Sequence, residues 1–430
     1  MKTKFFAALV LLVVAAGFVF AGGGQQTQAA SGQVTLDILA YGDNSTREGQ
    51  DWNRLVAEFQ AANPGIRIRS EMLYDQAYHQ KVEARLAAGD IPDLAYMWVD
   101  ALGQAWRDAN QFIDHRPFLN GDYFDLSLID PMGPNGEIFQ VPLGTSNITS
   151  VMFVNTALLA ELGLPMPKTY ADMVAMVPAA RAAGKEVLAF AGAEGWVWNS
   201  CLLGTVVGRL SGDADWVSKA MAGQYRFTDR PFVDSLAFLR TMVTDGVLSD
   251  AVVLTDYGAA LSSFVNGNAL FMLDGQWRAG GIEDPALQRN VQMVPFPAIP
   301  GEAPALANSA SGVTSVGYGL TRKGASDPAV REAALKFLEF FNSYENVTTR
   351  LVDGAIVAPV LKNYQPPADL PLMVVEKANF MARMGATSNV VDAFVPGEAN
   401  NALNTGMQNI AIGRATPADV AQQVERLARQ

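Results

Sequence analysis

The sequence predicts an α/β protein whose sheets are covered by helices on both faces, and three observations carry that expectation. Short apolar runs of strand length alternate along the chain with stretches of helical period. Half of the 430 residues are hydrophobic and 17% are charged, so the chain can bury large cores. No long polar linker and no clear internal repeat divides it, which two lobes crossed several times by the backbone would explain. The length is a prior for two or three domains of ordinary size.

Val34 to Ala40 alternates apolar and polar residues and runs into Tyr41-Gly42-Asp43-Asn44, a strand ending in a turn. Trp52, Leu55, Val56 and Phe59 fall at i, i+3, i+4 and i+7 and predict a helix that Asn63-Pro64-Gly65 stops. Ile66, Ile68 and Met72 alternate with charged residues as a second strand, and a helix over 77–88 closes at Gly89. Asp93 to Trp98 reads as a short strand of the kind buried in a parallel sheet. Residues 157–162 predict a helix with Gly163 as its C-cap. Thr169 caps the next one, with Asp172 at the capping-box position. Residues 187–190 and 270–273 read as buried strands, and 198–210, 234–245 and 257–266 as helices. The tail is read as helical over 329–342, 345–353, 368–382, 398–412 and 417–429, the last opened by Thr416 with Pro417 at its first position.

The amino terminus has the three parts of an export signal. Lys2 and Lys4 give a positive start, Phe5 to Phe20 is almost wholly apolar, and Val19-Phe20-Ala21 offers a cleavage site. A membrane anchor is the competing reading, because the apolar run approaches the ~18 residues that hint at a span. Removing Lys2 and Lys4 would take the net charge from −12 to −14. Residues 22–32, rich in Gly and Gln, read as a flexible tether. The single cysteine, Cys201, is too far along to carry a lipid at the start of a mature chain, and it excludes an intrachain disulfide. The expected location is therefore the periplasm.

Charge and composition remove several chemistries. With 31 basic against 43 acidic residues the chain lacks the basic footprint of nucleic-acid binding. Two histidines, His79 and His115, are too few for multi-histidine metal centres, and phosphate loops, EF-hand loops and a GxSxG elbow are all missing, so no cofactor is expected. His79 reads as a solvated surface residue of its helix and His115 as an unremarkable loop residue. A pair of carboxylates for glycoside hydrolysis remains possible among 43 acids, although sequence spacing identifies none.

The informative signal is tryptophan beside polar residues at strand ends. Trp98 ends one strand with Asp100 two residues on; Trp196 and Trp198 follow Glu194-Gly195; Trp277 follows 270–273 with Asp274, Gln276 and Arg278 around it. Trp52, Trp106 and Trp216 are most simply packing residues. In open α/β sheets ligands sit beyond the carboxyl ends of the strands. A flat ring flanked by carboxylates, amides and a guanidinium suits a sugar, whose C–H faces are apolar and whose hydroxyls need donors and acceptors. Each tryptophan alone could equally be a half-buried rim residue.

The run PLGTSNITSVMFVNTALLAELGLPMPKTYADM, 142–173, resembles the signature of the bacterial extracellular solute-binding proteins of sugar-binding, maltose-binding-protein-like type, with Val154 where tyrosine is usual. NALFMLDGQWRAGG, PFPAIPG, SVGYGLTRKG, AALKFLEFF and DGAIVAPVLK follow in the family's order. The resemblance implies a two-lobed, type II-like periplasmic-binding-protein fold with parallel-rich sheets and a hinge of about three crossings. The first lobe would comprise 33–145 and 317–358, and the second 146–316 and 359–430. It further implies a non-enzymatic, monomeric receptor that binds a mono- or oligosaccharide between the lobes and delivers it to an ABC permease in the membrane. Position by position, Asp43, Trp98 and Asp100, Glu194 and Trp196, and Trp277 match the family's acids and stacking aromatics. Asn147 and Arg278 are added as ligand-binding candidates from local context, and Tyr41 is counted among them. A non-sugar solute (a polyamine, amino acid or anion) and an exported glycoside-acting enzyme stay open as alternatives.

Overall fold

The computed structural model describes residues 33–430 apart from 45–46, 75, 100, 130–131, 134, 145–146, 314–315, 354–358 and 396. The expected export signal and tether lie outside the described residues, as does Asp100, and Asn147 is described by its backbone alone. Twelve strands occur among the described residues: β1 (Val34–Tyr41), β2 (Ile66–Leu73), β3 (Leu94–Trp98), β4 (Val141–Pro142), β5 (Asn147–Ile148), β6 (Val151–Asn155), β7 (Glu186–Ala189), β8 (Ala269–Asp274), β9 (Val291–Val294), β10 (Ala310–Val313), β11 (Val316–Leu320) and β12 (Thr387–Asn389). They form a five-stranded sheet, β2-β1-β3-β11-β4, a four-stranded sheet, β7-β8-β6-β9, and a three-stranded sheet, β12-β10-β5.

The five-stranded sheet builds the first lobe. β1 and β2 run parallel from Val34 opposite Ile66 to Tyr41 opposite Leu73. Leu36, Ile38, Leu39 and Ala40 are fully buried because helices cover both sides of this strand. The helix Arg47–Ala62 turns Trp52, Leu55 and Phe59 onto that core, with Val56 partly covered beside them. It meets the helix Pro328–Phe341 there through Phe59 and Phe337, whose rings lie edge to face at 5.1 Å. The second lobe is centred on β8 and β6, wrapped by the helices Tyr170–Ala182, Arg230–Thr244, Gly397–Ala411 and Pro417–Ala428.

The sheets are mixed, where the sequence suggests parallel-rich ones. β11 runs antiparallel to both β3 and β4, and β6 antiparallel to both β8 and β9. The physical reason is the route of the chain, since a strand that returns from the other lobe enters its sheet head to tail. The passages between lobes lie side by side: β4 pairs with β11 in the first lobe, and β5 with β10 just beyond it. A third passage follows Leu361, which bridges to Phe124 in the first lobe, before the helix Leu372–Arg383 packs Met373 and Phe380 in the second.

β11 has the sequence VGYGL, which argues against a strand on propensity. Its glycines answer to close packing: a Cβ on Gly317 would lie 2.1 Å from the Val141 carbonyl oxygen, and one on Gly319 2.3 Å from that of Phe139. The second-lobe helix read over 198–210 begins at Gly195 and contains a five-residue π turn, Asn199–Leu203, before resuming at Gly204. No helix among the described residues is long and apolar enough to cross a membrane.

Candidate functional site

The carboxyl ends of β1 and β3 and the loops after β7 and β8 open on one cavity of about 620 Å³ between the lobes. That volume falls within the ~300–1,000 Å³ usual for small-molecule sites.

The first-lobe wall is aromatic. Tyr41 ends β1 and stacks on Tyr96 with ring centres 5.0 Å apart, while Trp98, at the end of β3, meets its edge, also at 5.0 Å. Asp43 lines the cavity from the turn after β1. His79 corrects the surface reading of its helix: its ring lies 5.1 Å from that of Trp98 and forms part of the wall. Burial lowers the pKa of this imidazole to about 4, so it is neutral at physiological pH. The Trp52 ring, stacked on Tyr318 at 4.8 Å, forms the floor beside the buried Arg350. Burial lowers the pKa of that guanidinium to about 10.

The second-lobe wall hangs on Tyr257, the first residue of the helix Tyr257–Val265, which the sequence reading does not single out. Its hydroxyl accepts from Trp277 Nε1 at 2.7 Å and donates to Asp274 Oδ1 at 3.3 Å. Arg278 lies over the Tyr257 ring at 3.5 Å, donates to its carbonyl oxygen and pairs with Asp274 at 3.1 Å. The Arg278 charge is thereby engaged within the wall, where it holds Tyr257, which in turn accepts from Trp277. Gly275 makes room for the fold-back, since a Cβ there would lie 2.2 Å from the Trp277 ring. Trp196 completes the platform, 5.3 Å from Tyr257 and 6.3 Å from Trp277. Trp198, grouped with it on sequence, is fully buried, donates to the Gly192 carbonyl at 2.9 Å and belongs to the core. The two walls meet where Tyr74, after β2, comes within 6.3 Å of the Tyr257 ring.

Acceptors surround these rings. Glu194 and Asp256 sit close enough that burial and the Asp256 charge raise the Glu194 pKa. Asp392 accepts from Ser200 Oγ in the π turn, and Asn400 and Asn404 line the same side from the helix Gly397–Ala411. The sequence reading places this helix, at 398–412, but not its asparagines in the site, because they carry no motif and only their i, i+4 spacing sets them on one face. Seven of the sequence candidates, Tyr41, Asp43, Trp98, Glu194, Trp196, Trp277 and Arg278, line the cavity. The arrangement offers flat apolar faces, carboxylate acceptors and amides to a small guest.

Comparison with known proteins fits this architecture. Residues 42–348 match the family model described as bacterial extracellular solute-binding protein. A multiple sugar-binding protein from Streptococcus mutans is 23% identical over 406 residues, covering 90% of both chains. Among solved structures, a chitin oligosaccharide binding protein has a TM-score of 0.80 at 21% identity over 92% of this chain and 98% of its own. Maltose-bound MalE3 of T. maritima has a TM-score of 0.72 at 19% identity over 92% of this chain and 99% of its own. A sugar transporter from Bacillus licheniformis in complex with stachyose has a TM-score of 0.71 at 17% identity over 92% of this chain and all of its own. At these identities the structural likeness establishes the two-lobed fold.

Proposed function

The chain belongs to the bacterial extracellular solute-binding protein family, and on that premise we propose that it is the exported receptor of an ABC importer for a mono- or oligosaccharide. The sugar lies between the lobes 33–145 with 317–358 and 146–316 with 359–430, and the liganded form docks on a membrane permease. The observation that carries this reading is the pairing of aromatic walls from both lobes around one cavity edged by acids and amides. Trp98 and Tyr41 on one side and Trp196 and Trp277 on the other supply stacking faces. Asp43, Glu194 and Asp392 accept hydroxyl hydrogens. Asp100 and Asn147 complete the proposed contact set from the sequence.

Binding follows from differential contact, because a guest that bridges both walls favours the closed arrangement over the open one. The test is calorimetry and tryptophan emission against a panel of neutral mono- and oligosaccharides, with spermidine, an amino acid and a uronic acid as outgroups. A neutral sugar is expected to bind and to shift the emission, and Trp277→Ala to weaken it by about 1–3 kcal/mol. Unchanged affinity in that variant removes Trp277 from the site. Binding confined to an outgroup overturns the carbohydrate assignment. Bound sugar recovered intact after overnight incubation supports a receptor, and released product supports an enzyme.

A further inference from the structure

Asn199, in the π turn, is fully buried, and its Nδ2 reaches the side-chain oxygens of Asn400 at 2.7 Å and Asn404 at 3.0 Å. Its own Oδ1 has no hydrogen-bond partner among the described residues. The opposite rotamer of the amide would bury an NH₂ with both hydrogens unsatisfied, a costlier arrangement than one lone carbonyl oxygen. The Asn199 NH₂ therefore donates to both neighbours. Asn400 and Asn404 direct their oxygens inward to Asn199, and their NH₂ groups are left for the cavity they line. The helix bearing them is locked to the loop of Glu194 and Trp196. Gln408 Nε2 donates to the Ala193 carbonyl at 2.7 Å, and a Cβ on Gly195 would lie 2.7 Å from Asn404 Cβ.

We infer that Asn400 and Asn404 form a donor-only face of the site, oriented by Asn199, which selects guests presenting uncharged acceptor oxygens there and rejects ammonium groups. Glu194, Asp256 and Asp392 line the same cavity as acceptors, and this face adds hydrogens for sugar oxygens beside them. A protonated amine brings donors to donors at this face, and a carboxylate meets the nearby acids. The inference rests on the carbohydrate reading and specifies the guest chemistry within it.

Asn404→Asp isolates the effect. One carboxylate oxygen still accepts from Asn199, so the buried contact survives, while the group facing the guest changes from donor to acceptor. Calorimetry with the tightest-binding neutral sugar of the panel is expected to show at least about a tenfold loss, with the melting temperature close to that of the parent protein. Asn400→Asp carries the same test on the second amide if the first variant does not fold. Undiminished sugar affinity in a folded variant overturns the donor face and leaves the receptor reading standing. A parent protein that binds spermidine and no sugar overturns both.

Discussion

His115 is 1% exposed, and its Nε2 accepts the backbone N–H of Leu320 at 2.9 Å, tying the loop before Arg116 to the end of β11. Burial lowers its pKa from the ordinary 6.5 to about 4, against a small opposing pull from Asp114. The unfolded chain takes up this proton near pH 6.5 and the folded protein only near 4. The stability it contributes is thus complete above 6.5 and lost as the pH falls toward 4, in total about 3 kcal/mol at 1.36 kcal/mol per unit. His79 acts in the same direction. Denaturant unfolding of His115→Gln, which keeps an acceptor for Leu320, is expected to show a pH slope shallower by one proton between 6.5 and 4. An unchanged slope would assign the acid sensitivity to other groups. Both histidines are misread from sequence because nothing local reveals what packs over them from other elements. Trp196 and Trp277 are legible because each follows a strand end, and strand ends share an edge. Tyr257 and the asparagines are not, since a tyrosine opening a helix and an asparagine inside one have no distinctive neighbours.

Helices whose ends are fixed by their own residues are the legible elements. Thr169 Oγ1 accepts the Asp172 N–H at 3.2 Å, and Asp172 Oδ2 accepts that of Thr169 at 2.8 Å, the reciprocal capping that the sequence spacing predicts. Gly163 adopts φ +66°, the left-handed conformation a C-cap demands. Thr169→Ala removes one satisfied N–H from the helix Tyr170–Ala182 and is expected to cost about 1 kcal/mol in urea unfolding. A loss below the error of that measurement would mean that the packing of Met173, Met176 and Val177 alone holds the turn. Strands fare worse because their partners lie far away in sequence. β6, β9, β10 and β12 are runs of three to five residues, too short for periodicity to tell strand from helix. β11 hides behind glycines whose purpose is visible only once β4 lies against them. The π turn at Asn199–Leu203 shifts the phase of one helix by a residue, with Asn199 facing the helix Gly397–Ala411 and Ser200 facing Asp392. An apolar segment buried all round gives no period from which such a shift could be read.

For the molecule as a whole, the lobes and their α/β layering follow from the alternating pattern, whereas the direction of the strands depends on where the chain crosses back. Those crossings determine what closure can do. Two of them run as neighbouring antiparallel strands, β4 beside β11 and β5 beside β10, so the lobes share a narrow ribbon about which they can swing. Across the mouth, the Tyr74 and Tyr257 rings lie with centres 6.3 Å apart, an aromatic pair that favours the closed arrangement by ~0.5–1.5 kcal/mol. A guest that binds only the closed form has an apparent dissociation constant equal to its intrinsic one divided by the closed fraction. Tyr74→Ala should therefore enlarge the radius of gyration of the free protein in small-angle scattering and weaken the sugar by at most the same ~0.5–1.5 kcal/mol. The liganded variant should be as compact as the parent, since a bridging guest restores closure. Weaker binding without expansion of the free variant would place the Tyr74 ring on the guest instead. If neither quantity changes, the Tyr74–Tyr257 contact has no part in closure.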